Sequence, residues 1–146
     1  RSVVVDPFYA WHKKLCCNLP GKIAERLLKH AIPLSLARLA EGKSNWLKEL
    51  LPGFFKQQID ALAQYDLVIQ VGGSFFVDLY GSSQFDYPLT ALVAGKPVLL
   101  IGHSMGPFDG KIMQRLSAVL LQHASLVSLR EPVSRELVER RRRQGL

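Results

Sequence analysis

Asp66-Leu67-Val68-Ile69-Gln70-Val71-Gly72-Gly73-Ser74-Phe75-Phe76-Val77-Asp78 is the stretch that decides the fold. Its first half is a continuous apolar run, which reads as a buried strand, and it leads straight into two glycines and then a carboxylate. Paired glycines at a strand exit let backbone approach a ligand closely, because no Cβ stands in the way. A tight exit needs the same pair, so the glycines alone name no ligand.

Outward from this strand the pattern becomes regular. Strands begin near Leu67, Val98 and Leu126, 31 and 28 residues apart, with amphipathic stretches between them. Asp86-Tyr87-Pro88 offers a cap and an early proline for one helix, and Gly95-Lys96-Pro97 ends it. A second helix from about Lys111 to His123 places Ile112, Leu116, Val119 and Leu120 on one face. A third opens at Pro132 and runs to Arg140–Arg143, where Gly145 could stop it. Apolar strands alternating with such helices predict an α/β fold: a Rossmann-like parallel sheet with helices on both faces.

The first half of the chain is less periodic. Val3-Val4-Val5 before Pro7 predicts a short strand, and Phe8, Tyr9, Trp11 and His12 an aromatic loop. Lys22 to Ala40 has helical spacing with Pro33 inside it, which predicts a helix broken or kinked before the proline. Ser44 or Asn45 can cap a segment carrying Trp46 and Leu47, and Phe55, Ile59, Leu62 and Ala63 mark a further amphipathic helix.

The 146 residues, 48% hydrophobic and 21% charged, suit a single globular α/β domain spanning 1–146 and exclude a disordered or fibrous chain. No apolar run is long enough to span a bilayer. Adjacent Cys16 and Cys17 fit neither a disulfide nor a metal spacing, which suits a reducing, cytoplasmic compartment. The net charge of +7 owes four charges to Arg140–Arg143; setting these aside leaves 15 basic residues against 12 acidic ones. That run reads either as a solvated helix end, whose cations suit the helix dipole, or as a patch for nucleic acid or lipid.

Parallel sheets bind ligands beyond the carboxyl ends of their strands, and three such ends carry unusual residues. The connection from Gly72 to Phe85 is long for a βα loop, which points to a site, yet it matches neither GxGxxG nor a P-loop. Gly102-His103-Ser104-Met105-Gly106-Pro107 puts an imidazole and a hydroxyl at the second mouth, His103 being either a structural histidine or a functional one. At the third, Leu129-Arg130-Glu131-Pro132-Val133-Ser134, the arginine suits a phosphate or carboxylate, or an ion pair across the sheet edge.

In this order and spacing, Val71-Gly72-Gly73-Ser74 with Asp78, Gly95-Lys96-Pro97-Val98, Gly102 to Pro107, and Leu129-Arg130-Glu131 with Ser134 resemble the polysaccharide pyruvyl transferases, in particular the branch of colanic acid and other exopolysaccharides. The resemblance covers Asp66 to Val138, about half the chain. It implies one half of a GT-B-like two-domain enzyme, the amino-terminal half without its first strand, so that the partners include a missing second domain and the fragment alone is inactive. It also implies transfer of the carbon skeleton of phosphoenolpyruvate to two sugar hydroxyls as a ketal, with phosphate released and no cofactor or metal. The implied acceptor is a sugar or a lipid-linked oligosaccharide, and the expected location is the cytoplasm, with peripheral contact at the inner face of the membrane and no specific nucleic acid.

Asp78 is the expected acid or base, because ketal formation moves protons to a methylene carbon and from hydroxyls. Gly72, Gly73, Ser74, His103, Ser104, Gly106 and Arg130 are the expected substrate-binding residues, with Arg130 and the Gly72–Ser74 backbone facing the donor's anions. The family usually has a third glycine at Ser74 and commonly glutamine at His103, so His103 is not carried over as a catalyst. A GT-B glycosyltransferase using a nucleotide-sugar, or a non-catalytic Rossmann-like module binding through Arg140–Arg143, would show a similar pattern.

Overall fold

A computed structural model describes residues 22–43 and 46–143. The expected strand at Val3–Val5, the aromatic loop, both cysteines, the Ser44 or Asn45 cap and Gly145 lie outside these residues. In chain order the elements are α1 (Lys22–Ala40), α2 (Leu47–Leu50), α3 (Gly53–Leu62), β1 (Val68–Val71), two 3-10 turns (Asp78–Tyr80 and Ser82–Phe85), α4 (Asp86–Val93), β2 (Val98–His103), α5 (Lys111–His123), β3 (Leu126–Leu129) and α6 (Pro132–Arg143).

The three strands are parallel in the order β1-β2-β3. Because parallel crossovers are right-handed, strands laid down in one direction put both crossover helices, α4 and α5, on one face. α1 then packs across α4 and α5 as a second helical layer, and the Arg115–Glu41 ion pair ties its far end to α5. This corrects the expectation of helices on both faces: among the described residues only one face is covered. Val68, Val98 and Leu100 point into the core, whereas Ile69 and Val71, in register with Leu99 and Ile101, are 50% and 74% exposed. Nor do the described strands reverse direction, so they contain no topological switch point.

Local chemistry accounts for the helix ends. Gly95 takes a left-handed φ of 71°, and its N–H and that of Lys96 reach back to the Leu92 and Ala91 carbonyls, which closes α4 as expected. Asp86, by contrast, is not a cap. It is the first residue of α4, and its side chain is buried. α1 runs unbroken through Pro33, another departure from the expected break.

The core does not stop at the helices. Phe76, Phe85 and Phe108, all on the connections at the strand mouths, are fully buried. Their rings lie 5.0 Å (Phe76–Phe85) and 6.4 Å (Phe85–Phe108) apart. Each such ring contributes about 1.5–3 kcal/mol by burial, enough to hold the connections in one conformation. The long loop after β1 is therefore a packed element with a defined shape.

Candidate active site

The three mouths are joined to one another. Between β1 and β2 the joints are mostly backbone: Ser104 N–H donates to the Gly73 carbonyl at 3.2 Å and Gly106 N–H to that of Phe76 at 2.9 Å, and Phe76 bridges Met105 as if the strands continued. Asp78 extends this seam. Its Oδ2 accepts from Phe108 N–H at 2.7 Å and its Oδ1 from Gly110 N–H at 3.4 Å, just ahead of α5. Phe108 has a left-handed φ of 61°, disfavoured for a residue with a Cβ. The Asp78 bond and the buried ring offset that cost, and backbone strain of this kind gathers at functional sites.

Between β2 and α6 side chains do more of the joining. Ser104 Oγ donates to Glu131 Oε1 at 2.9 Å, and Ser134 Oγ accepts from Met105 N–H at 2.9 Å. Arg130 N–H donates to the His103 carbonyl at 2.9 Å, so its side chain leaves the sheet at the mouth. The guanidinium is exposed and, among the described residues, makes no ion pair. The alternative reading of Arg130 as half of an ion pair across the sheet edge is thus not realised. Arg130 instead borders an open pocket of about 620 Å³ beside the edge of β3 that is unpaired among the described residues, with Val127, Leu129, Glu131, Arg135 and Glu139 on its other sides. Arg135 there is engaged by Glu139 at 2.8 Å.

The glycines first of all let the strand exits meet. A Cβ on Gly72 would collide with the Gly102 carbonyl, and one on Gly73 with the Phe75 ring. Gly72 is therefore required for the two strand exits to touch. Gly106 is buried at φ 93° with Leu137 against it, so it too shapes the mouth without lining it. Of the glycines at the strand mouths, Gly102, at φ 69°, is the one with open space around it. Ser74 is exposed and keeps its place at the mouth.

His103 shows how a local irregularity redirects a side chain. Strand alternation would put it on the open face with Leu99 and Ile101. The β2–β3 register, however, slips between Leu100 and His103, and the left-handed Gly102 absorbs the extra residue as a bulge. His103 consequently turns inward, fully buried, its ring 4.9 Å from that of Phe76. It donates from Nε2 to the Gln70 carbonyl at 3.1 Å, leaving Nδ1 buried without a partner. Burial holds its pKa below the ordinary 6.5, an effect the Gln70 and Gly73 carbonyls partly oppose. In this geometry a solute cannot reach the ring, so the expected substrate contact is corrected to a packing and positioning role.

Sequence reasoning missed two further groups. Asp86 is almost wholly buried, with Oδ1 unpartnered, and burial raises its pKa well above the ordinary 3.8. Ser82, 1% exposed, bonds to α1 through its hydroxyl. Neither a charged residue two places before a proline nor a serine in a turn carries a signal that would have disclosed burial. Among the described residues no three His, Cys, Asp or Glu side chains gather as a metal site, and no helix is long and apolar enough to cross a membrane.

Comparison with known proteins adds to this geometry. The model of a family described as polysaccharide pyruvyl transferase matches residues 4–143. The chain is 41% identical over 140 residues to the amylovoran biosynthesis protein AmsJ of Erwinia amylovora, covering 96% of this chain and 32% of that one. It thus spans about a third of the length of this curated relative. No solved structure matches it.

Proposed function

Since this chain belongs to the polysaccharide pyruvyl transferase family, we propose that it supplies the loop face of an enzyme that moves a pyruvyl group from phosphoenolpyruvate to a sugar during exopolysaccharide synthesis. The observation that carries this reading is the unpaired Arg130 guanidinium at the rim of the joined mouths, next to an open pocket. An exposed, unpaired guanidinium suits the bidentate recognition of a carboxylate or phosphate, and phosphoenolpyruvate has both.

In the proposed reaction the donor's methylene carbon takes up a proton, and its C2 becomes electrophilic and is attacked by one sugar hydroxyl. The second hydroxyl then displaces phosphate, which closes the ketal. Two hydroxyl protons are given up, one balanced by the new methyl group and one leaving with phosphate. Asp78 is the proposed acid or base, held in place by its two backbone donors. Ser74 is exposed and Gly102 has open space beside it at the strand ends, whereas Ser104 is buried with its hydroxyl held by Glu131. A GT-B-like second domain, a lipid-linked acceptor and action at the inner face of the membrane belong to this proposal. The amylovoran assignment of the AmsJ relative supports the sugar-polymer part of it.

The test uses the full-length protein with phosphoenolpyruvate and a sugar acceptor, following phosphate release. Asp78→Asn is expected to lower kcat by about 10²-fold or more. Arg130→Ala should chiefly raise the KM for phosphoenolpyruvate. Wild-type rates in both variants would remove the assigned roles, and saturable nucleotide-sugar binding without any effect of phosphoenolpyruvate would replace the reading with a glycosyltransferase.

A further inference from the structure

Pro33 lies inside α1 and is buried. A helix pairs each N–H with the carbonyl four residues earlier, so a proline at 33, having no N–H, leaves the Lys29 carbonyl without its helical partner. Such an acceptor in a half-buried position costs free energy unless something else donates to it. Ser82 Oγ donates to that carbonyl at 2.9 Å. The same oxygen lies 2.9 Å from His30 Nδ1. A serine has one hydroxyl proton, and it is committed to Lys29, so His30 must be the donor in the second bond. What looks like a serine-histidine nucleophile pair is thus the reverse of one.

The position of Ser82 gives this bond a consequence at the mouth. Ser82 opens the second 3-10 turn, and Asp78 opens the first. Gly81 between them, at φ 75°, passes close over the Lys29 side chain, which leaves little room beside it. We propose that Ser82 is a positioning residue: the carbonyl vacated by Pro33 on α1 is the anchor, and the Ser82 hydroxyl fixes to it the loop that carries Asp78. The proline that sequence alone reads as a break is what creates the docking point. This inference rests on the functional reading only in giving Asp78 a part in the reaction; the anchoring itself does not depend on it.

The experiment combines Ser82→Ala, Pro33→Ala and the double variant in the full-length protein. Its readouts are urea midpoints, amide exchange over residues 78–81, and steady-state phosphate release from phosphoenolpyruvate. Ser82→Ala alone is expected to lower the folding equilibrium constant about tenfold, to speed exchange at 78–81, and to lower kcat with little change in KM. Pro33→Ala restores an N–H that can serve Lys29, so in its background Ser82→Ala should cost less than half as much stability. Exchange and kcat, however, should stay impaired in the double variant, because the loop is still untied.

An additive cycle would mean that the hydroxyl does not serve the carbonyl left by the proline, and would overturn the anchor. Recovery of exchange and kcat together with stability would reduce Ser82 to a helix patch and overturn the positioning role. If the wild-type protein releases no phosphate, the proposed reaction falls, while the cycle and the exchange data still decide the anchor.

Discussion

The mouth of the sheet is held by two seams made in different ways. The one between β1 and β2 is chiefly backbone on backbone, from Gly73 and Phe76 to Ser104 and Gly106, whereas the one between β2 and α6 relies on the side chains of Ser104, Glu131 and Ser134. A backbone seam depends on what must be absent, since a Cβ at Gly72 would occupy the space of the Gly102 carbonyl. A side-chain seam depends on what must be present. The two should therefore fail under different substitutions and by different amounts.

The largest effect is expected at Gly72. Gly72→Ala forces two paired backbones apart, and neither is a flexible side chain end, so the cost should reach about 3 kcal/mol or more, the upper part of the overpacking range. Gly73→Ala first meets the ring of Phe75, which is 43% exposed and can swing away. It should cost far less. Urea midpoints for the two variants test this directly, and equal losses would mean that the first seam is not set by close backbone approach.

On the second seam Ser134→Ala is the corresponding change. Ser134 and Met105 are 3% and 2% exposed, so removing the hydroxyl leaves the Met105 N–H buried without an acceptor, at a cost of about 1–3 kcal/mol. A midpoint within about 0.5 kcal/mol of wild type, the range of surface substitutions, would show that α6 is held to the mouth by packing alone.

Much of this arrangement was legible in the residues. The β1, β2 and β3 positions and the helices between them follow from apolar runs and helical spacing, which are local properties. What was not legible depends on distant partners. That only one face of the sheet is covered among the described residues follows from strand order, which no single strand records. Pro33 sits inside an unbroken helix, and the Lys29 carbonyl it leaves is served by Ser82, far along the chain. At the site, the sequence placed Asp78 and Arg130 at the mouth and the structure keeps them there. It left the glycines open between room for a ligand and a tight strand exit, and Gly72 gives its room to the Gly102 carbonyl. The inward turn of His103 depends on a bulge, and nothing in the alternation of Leu99 and Ile101 announces it.

That turn gives the first seam a sensitivity to pH in the smallest of these effects. His103 is buried as the neutral ring with its Nε2 proton on the Gln70 carbonyl, and burial lowers its pKa from 6.5. Above about pH 6.5 both folded and unfolded chains carry the ring neutral, and its contribution to stability is fully present. As the pH falls below that value the unfolded chain takes up the proton first. Stability is then lost until the pH passes the folded pKa, below which the loss stops growing. The dependence is limited to one proton, hence at most about 1.4 kcal/mol per pH unit. His103→Gln retains an N–H for the Gln70 carbonyl and removes the titration, so urea midpoints between pH 8 and 5 should fall less steeply in the variant than in the wild type. Since all other groups titrate alike in both proteins, parallel curves would mean that His103 takes its proton in the folded chain as readily as in the unfolded one, and the inward turn at Gly102 would then not describe the molecule in solution.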